Sequence, residues 1–336
     1  HDHIEGGFHR YAIDPGWRVP ARLLVLTALL ASGCSTPSGN PSFPISTADA
    51  TAALQTMQST PTRLERPVVL LGGYFDPGLA VADMRTRLRD AVGDDRIICV
   101  SFSGATSFEE CRQRVIDAVE TAHPESTLLP DGRRETIEVD VVGNSMGAIV
   151  ARYAAMWPEP DAKGADARLV VRRLFSIAGP HRGAALANPA SGSELKAGMA
   201  IDSPFVTALD ATLPDADYEL ICFVRLGDMI VGVPNSAPYG RTAYWVENLP
   251  LQPAHMVAYS DVRFLAEIAR QLRGEGSFIV ADPAPYPPAP RPREPLVRLG
   301  FVPNSRVHTA GDRHPSAGVP VRRAESEALV GWACRA

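Results

Sequence analysis

The sequence predicts an α/β domain, a mostly parallel sheet covered by helices on both faces. Short apolar runs of strand type alternate with amphipathic runs at helical spacing from about residue 64 to residue 278, the pattern that parallel βαβ units produce. One strand-to-helix junction carries Gly143-Asn144-Ser145-Met146-Gly147, a turn that displays a serine only where the backbone bends sharply.

In chain order, residues 67–71 form a buried-type strand that breaks at Gly72-Gly73, and Val81, Met84, Leu88, Ala91 and Val92 then recur on one helical face. A second strand covers 96–100, and Cys111, Val115, Ala118 and Val119 mark a second amphipathic helix over 109–122. The strand 137–142 leads into the Ser145 turn, and the Ala-rich helix 148–157 runs from it to Pro158, which stops it. Apolar strands follow at 169–177 and 220–226, and a last helix spans 262–272 with Ser260 or Asp261 as its N-cap. Residues 184–217 read as an insertion between two of these strands.

Segments outside this core are expected to be less ordered. Residues 35–63, rich in Ser, Thr, Pro and Ala, read as a linker with one short helix near 48–57. The proline-dense stretch from 281 to 295 forms neither a central strand nor a helix, so 279–336 is expected to be a disordered tail. No internal repeat is visible.

The net charge of −5 from 33 basic and 38 acidic residues argues against a nucleic-acid partner. Residues 18–34 hold two arginines, a short apolar stretch and small residues ending at Cys34, a signal-peptide layout too short to span a bilayer as a mature helix. Acidic residues precede it and no methionine occurs before Met57. Residues 1–17 are therefore expected to lie upstream of the true start, with Val19 as initiator if its codon is GTG. The ending Ala31-Ser32-Gly33-Cys34 resembles the lipobox of bacterial lipoproteins, which implies lipidation of Cys34 and a membrane anchor in the cell envelope. Of the other cysteines, Cys99 and Cys222 lie in strand-like runs and read as buried small hydrophobes. The spacing of Cys99, Cys111, Cys222 and Cys334 dictates no disulfide.

A serine hydroxyl needs a base, usually histidine, held by a carboxylate, and on a turn of this kind the acid and then the base follow the nucleophile along the chain. Asp228 sits one glycine beyond the late strand, where loops at the carboxyl ends of strands build sites. Asp202, Asp210, Asp215, Asp217 and Asp261 are alternatives. His255 lies in the loop before the last helix, ahead of His181, His123, His308 and His314 as candidate base. For the oxyanion, one backbone N–H is expected from Met146 and a second from Tyr74, after the Gly72-Gly73 pair. No metal or organic cofactor is called for.

Over about 64–274 these residues resemble the lipase and esterase branch of the α/β-hydrolase superfamily. The segment from Ile177 through Gly179-Pro180-His181-Arg182 to Gly183 is similar to the T-P-H-x-G segment of bacterial triacylglycerol lipases. Gly179 stands where lipases carry Thr, and Gly72 where they carry the His of an H-G pair. The resemblance implies an α/β-hydrolase fold, acyl-ester or lipid substrates, a wall role for His181, and a short lid or cap at 184–217. Leu195, Met199, Phe205, Val206 and Leu209 would give that lid an apolar edge, suited equally to an acyl chain or to packing on the core. Thioesterase, amidase or acyltransferase chemistry fits the same residues, and a non-catalytic binding lipoprotein is the contrasting class.

Overall fold

The computed structural model describes residues 39–158 and 167–288. Cys34 and Cys334, with His308 and His314, lie outside the described residues. The elements are α1 Thr47–Gln58, β1 Val68–Leu71, α2 Leu79–Val92, β2 Ile97–Val100, α3 Phe108–Ala122, β3 Thr127–Leu128, β4 Arg134–Asn144 and α4 Met146–Ala155. They continue with β5 Ala167–Ile177, α5 Glu194–Gly198, α6 Pro204–Ala211, β6 Glu219–Arg225, β7 Tyr244–Val246, α7 Ala254–Val257 and α8 Val262–Leu272.

The sheet order is β2-β1-β4-β5-β6-β7. All five of these pairings are parallel, and among the described residues only the short β3 runs antiparallel, against β4. Successive strand residues point to opposite faces, so β1 supplies both halves of the core. Val68 and Leu70 pack with Met84 and Leu88 of α2 and Phe264 and Ile268 of α8. Val69 and Leu71 pack with Val115 and Val119 of α3 and Ile149 and Val150 of α4. This is the mostly parallel sheet covered by helices on both faces that the sequence predicts, with α5 and α6 in the insertion between β5 and β6. No helix among the described residues is long and apolar enough to cross a membrane.

Residues 39–63, expected to be a linker, instead complete one face of the core. Phe43 is 2% exposed, with ring centroids 5.9 Å from Phe223, 6.3 Å from Tyr244 and 6.4 Å from Phe264. The Asn40 amide donates to the Trp245 carbonyl at 2.9 Å. Ser46 caps α1 by accepting from Asp49 N–H, and Met57 buries itself among the same apolar residues. The folded chain also continues past 278, where a loose tail was expected. Val280 N–H donates to Ser42 O, Trp245 Nε1 to Ala284 O at 3.1 Å, and Ala243 N–H to the Tyr286 hydroxyl at 2.9 Å. This strap ties down the β7 side of the sheet, where an open edge would expose unpaired backbone groups. The compact unit that holds the sheet ends at Pro287.

Cys99, Cys111 and Cys222 are free thiols. Cys222 is buried, and burial pushes its thiol up to about 12. Cys99, read as a buried hydrophobe, is exposed on the edge strand β2, because an edge strand has one neighbour and incomplete cover.

Asp94 fastens the turn between α2 and β2. Its carboxylate accepts from Leu64 N–H at 2.9 Å and Arg96 N–H at 2.9 Å, and pairs with the Arg96 guanidinium at 2.8 Å. Burial pushes the Asp94 pKa up, but the Arg96 side chain and the two backbone donors outweigh it and hold the group down at about 2. The folded value lies below the unfolded value of about 3.9. This stabilisation is therefore complete above that pH and is lost as pH falls toward 2. Asp94→Asn is expected to lower the melting temperature at pH 7 and to change it much less near about pH 2.5. Equal losses at both pH values would assign the cost to packing rather than to charge.

Candidate active site

The turn at Ser145 is built by sterics on both sides. A Cβ on Gly143 would lie 2.5 Å from Ala148 Cα, and one on Gly147 2.6 Å from Leu71 O and 2.7 Å from Gly72 O. Backbone atoms cannot yield to such contacts, so glycine is needed at both positions. Ser145 itself adopts φ 53° and ψ −122°. That conformation costs a non-glycine residue about 1–3 kcal/mol and persists only where the surroundings enforce it. Ser145 N–H donates to Ile177 O at 2.8 Å, and Ala148 N–H to Ser145 O at 3.0 Å, fixing the turn to β5 and to the first turn of α4.

Two late loops bring partners to this serine. Gly227, at φ 83°, reverses the chain after β6, and Asp228 enters the interior at 4% exposure. Its Oδ1 accepts from Ile230 N–H at 2.9 Å and Val231 N–H at 3.0 Å. Its Oδ2 lies 2.8 Å from His255 Nδ1, and His255 Nε2 lies 3.0 Å from Ser145 Oγ. A carboxylate only accepts, so Nδ1 carries the imidazole proton and Nε2 is left to accept from the serine hydroxyl. The four-residue helix α7 presents His255 from just outside the sheet.

The other candidates are placed elsewhere. Asp261 caps α8 through Arg263 N–H at 3.0 Å and pairs with Arg225 at 2.8 Å. Asp217 pairs with Arg168 at 3.0 Å, Asp202 accepts from the Tyr239 hydroxyl, and His123 is the C-cap of α3. His181 is fully buried and bonds Ser176 Oγ through Nε2 at 2.8 Å and the Arg152 guanidinium through Nδ1 at 3.1 Å. A guanidinium only donates, so Nδ1 accepts, and Nε2–H donates to Ser176. Burial first, then the positive charges of Arg152, Arg182 and Arg241, hold His181 well below the usual histidine range. It is a neutral buttress. Pro180 and Ala184 line the cavity and His181 does not.

The Gly72-Gly73 loop runs beside the serine, and a Cβ on Gly73 would lie 3.3 Å from Ser145 Cβ. Among the described residues neither Tyr74 N–H nor Met146 N–H has a hydrogen-bond acceptor. Met146 opens α4, where backbone N–H groups have no intrahelical partner and the helix dipole favours negative charge. Asp76 holds the loop from behind. Its Oδ1 accepts from Gly78 N–H at 2.9 Å and Ala80 N–H at 3.2 Å, its Oδ2 from Val81 N–H at 3.3 Å, and its carbonyl from Ser101 Oγ at 2.6 Å. The sequence reading missed this residue, although an Asp-Pro-Gly step before a helical run is a capping signal.

Ser145 and His255 open into a cavity of about 500 Å³ with a mostly apolar wall. Met199 and Leu186 of the insertion reach it, and Phe75, Leu79, Leu186 and Met256 are exposed around it. The rest of the supposed apolar lid edge packs inward. Leu195, Val206 and Leu209 are buried, and Phe205 stacks on Phe108 with centroids 3.8 Å apart. Lys196 also lines the cavity; nothing in the local pattern marked it. Among the described residues no group of three His, Cys, Asp or Glu side chains could hold a metal ion.

No family model matches the chain, and no curated protein does. Among solved structures it is similar to one described as a "putative cell surface hydrolase from Lactobacillus plantarum WCFS1", at 12% identity and TM-score 0.36, over 64% of this chain and 94% of that chain. It is also similar to one described as a "Putative hydrolase from Agrobacterium vitis S4", at 14% identity and TM-score 0.36, over 63% of this chain and 90% of that one. At such scores these likenesses carry none of the chemistry, which rests on Ser145, His255 and Asp228.

Proposed function

We propose that this chain is a serine hydrolase that cleaves carboxylic esters through an acyl-enzyme. The observation that supports this reading is the continuous hydrogen-bond relay from Ser145 Oγ through His255 to buried Asp228. In the first half-reaction Ser145 Oγ attacks the acyl carbonyl while His255 Nε2 takes its proton. Asp228 orients the ring and stabilises the imidazolium. The tetrahedral oxyanion is held by Met146 and Tyr74 N–H groups, each donor of this kind supplying about 3 kcal/mol. His255 then returns the proton to the leaving alcohol. In the second half-reaction water attacks the acyl-serine, with the same histidine as base. The mostly apolar cavity wall suits an acyl chain. Anchoring to a bacterial envelope through a lipidated Cys34 belongs to the same proposal and rests on residues 18–34 alone.

A fluorophosphonate probe tests the reading directly, because it phosphonylates an activated serine and spares an ordinary one. The expected result is one adduct, mapped by mass spectrometry to the peptide containing Ser145, together with turnover of p-nitrophenyl esters. A binding module of the same fold would take no label, and that outcome would overturn the proposal.

A further inference from the structure

We propose that the cavity beside Ser145 takes esters bearing an anionic group, and that Lys196 recognises that group. The proposal rests on Ser145 being the nucleophile for the reaction, though not for binding. The chain is built almost entirely on arginine. Of its 33 basic residues only Lys163 and Lys196 are lysines, and Lys163 lies outside the described residues. Lys196 stands on α5 of the insertion and lines the same cavity as Ser145 and His255.

Its surroundings leave the charge unused. The ammonium lies 6.0 Å from the Tyr74 ring centroid and 5.8 Å from that of Phe75, a cation–π arrangement that holds it against the loop carrying the proposed oxyanion donor. No carboxylate among the described residues lies within ion-pair distance of it. By contrast, the insertion's neighbouring Glu194 turns away to accept from Phe108 N–H at 3.3 Å. Besides the phenols of Tyr74 and Tyr259, the other titratable groups on the cavity wall are Asp76 and His255. Backbone N–H groups occupy both Asp76 oxygens, and His255 is taken up by Asp228 and Ser145. Asp76 keeps its negative charge, but its oxygens are turned to backbone N–H groups of the loop, so the Lys196 ammonium is the charged group on the wall with hydrogen-bonding capacity left for a substrate.

The rest of the wall is apolar, with Leu186, Met199, Ile230 and Val231 contributing. Beside an apolar protein wall an ammonium and an anion are screened less than in bulk water. A ring contact uses one face of the ammonium and leaves N–H donors free, and a lysine presents them as a compact point charge on a flexible stem. A neutral ester gains nothing from that group. A carboxylate or a phosphate on the acyl or alcohol part, a few bonds from the scissile carbonyl, would be held by it.

Three esters of matched length test this on the full chain: p-nitrophenyl pentanoate, p-nitrophenyl hydrogen glutarate and p-nitrophenyl 4-phosphonobutanoate. The kcat/KM for at least one anionic ester is expected to exceed that for the pentanoate by about tenfold at low salt, the size of one charge-assisted hydrogen bond. The advantage should shrink as salt rises. In Lys196→Met the ratio should fall to near one, while Lys196→Arg keeps most of it. The better of the two anionic esters identifies carboxylate or phosphate as the natural group. A wild-type ratio at or below one, or a ratio unmoved by Lys196→Met, overturns the proposal. Binding without turnover separates this from the nucleophile assignment. Calorimetry of 5-oxohexanoate against 2-hexanone, ketone counterparts of the esters, is run on Ser145→Ala with and without Lys196→Met. A Lys196-dependent preference for the oxo acid in a chain that cleaves no ester sinks the hydrolase and keeps the anion site. Ester turnover with no charge preference does the reverse.

Discussion

Ser145→Ala should lower kcat for p-nitrophenyl ester hydrolysis by about a millionfold, to the residual rate that binding and oxyanion donors alone provide. The substitution removes one atom, Oγ, whose hydrogen bond is to His255 Nε2. Alanine keeps the Cβ, so the φ of 53° is no easier or harder to hold than with serine. The turn's backbone bonds to Ile177 and Ala148 are untouched, and the melting temperature should stay within a few degrees of the parent. Fluorophosphonate labelling should vanish with the activity. A variant that folded normally and still turned over ester at even a tenth of the parent rate would remove Ser145 from the mechanism.

The candidate site is legible in the sequence where its parts are local signatures or follow from chain order. The Gly143 to Gly147 turn is readable from five residues, and the steric need for its glycines appears directly as backbone contacts under 3 Å. Asp228 and His255 were placed by position after a late strand and before a late helix, and the fold brings those positions together. What the sequence hid is long-range. Phe43 is one aromatic in a Ser/Thr/Pro-rich stretch, and only its contact with Phe223, far along the chain, shows that 39–63 belongs to the core. The strap at 280–286 reads as a proline-rich tail because its bonds run to β7 and Ser42 rather than to neighbours. The apolar residues of the insertion have the same periodicity whether they face a substrate or the sheet. Phe205 and Leu209 face inward, in the cluster that holds Phe108 and Val115 of α3 and Ile149 and Val150 of α4.

The second large effect falls on Asp228, and its chemistry is a matter of tautomers rather than of charge alone. In Asp228→Asn the amide oxygen can still accept from Ile230 and Val231 N–H, as Oδ1 does now. The loop is therefore expected to keep its course, with the amide NH2 turned toward His255 Nδ1. An N–H donor facing another N–H donor is repulsive, so the imidazole moves its proton to Nε2 and lets Nδ1 accept. Nε2–H then points at Ser145 Oγ, and the group that must take the serine proton has none of its lone pair to offer. The loss in kcat is expected to be about ten-thousandfold. It comes without the collapse that would follow from burying an unpaired group, because every polar atom at 228 retains a partner. Asp228→Ala, by contrast, strands Ile230 and Val231 N–H and should lower the melting temperature as well as the rate. If the asparagine variant lost less than about tenfold in kcat, or lost activity and stability together, the orienting role would pass from this carboxylate to the loop it holds.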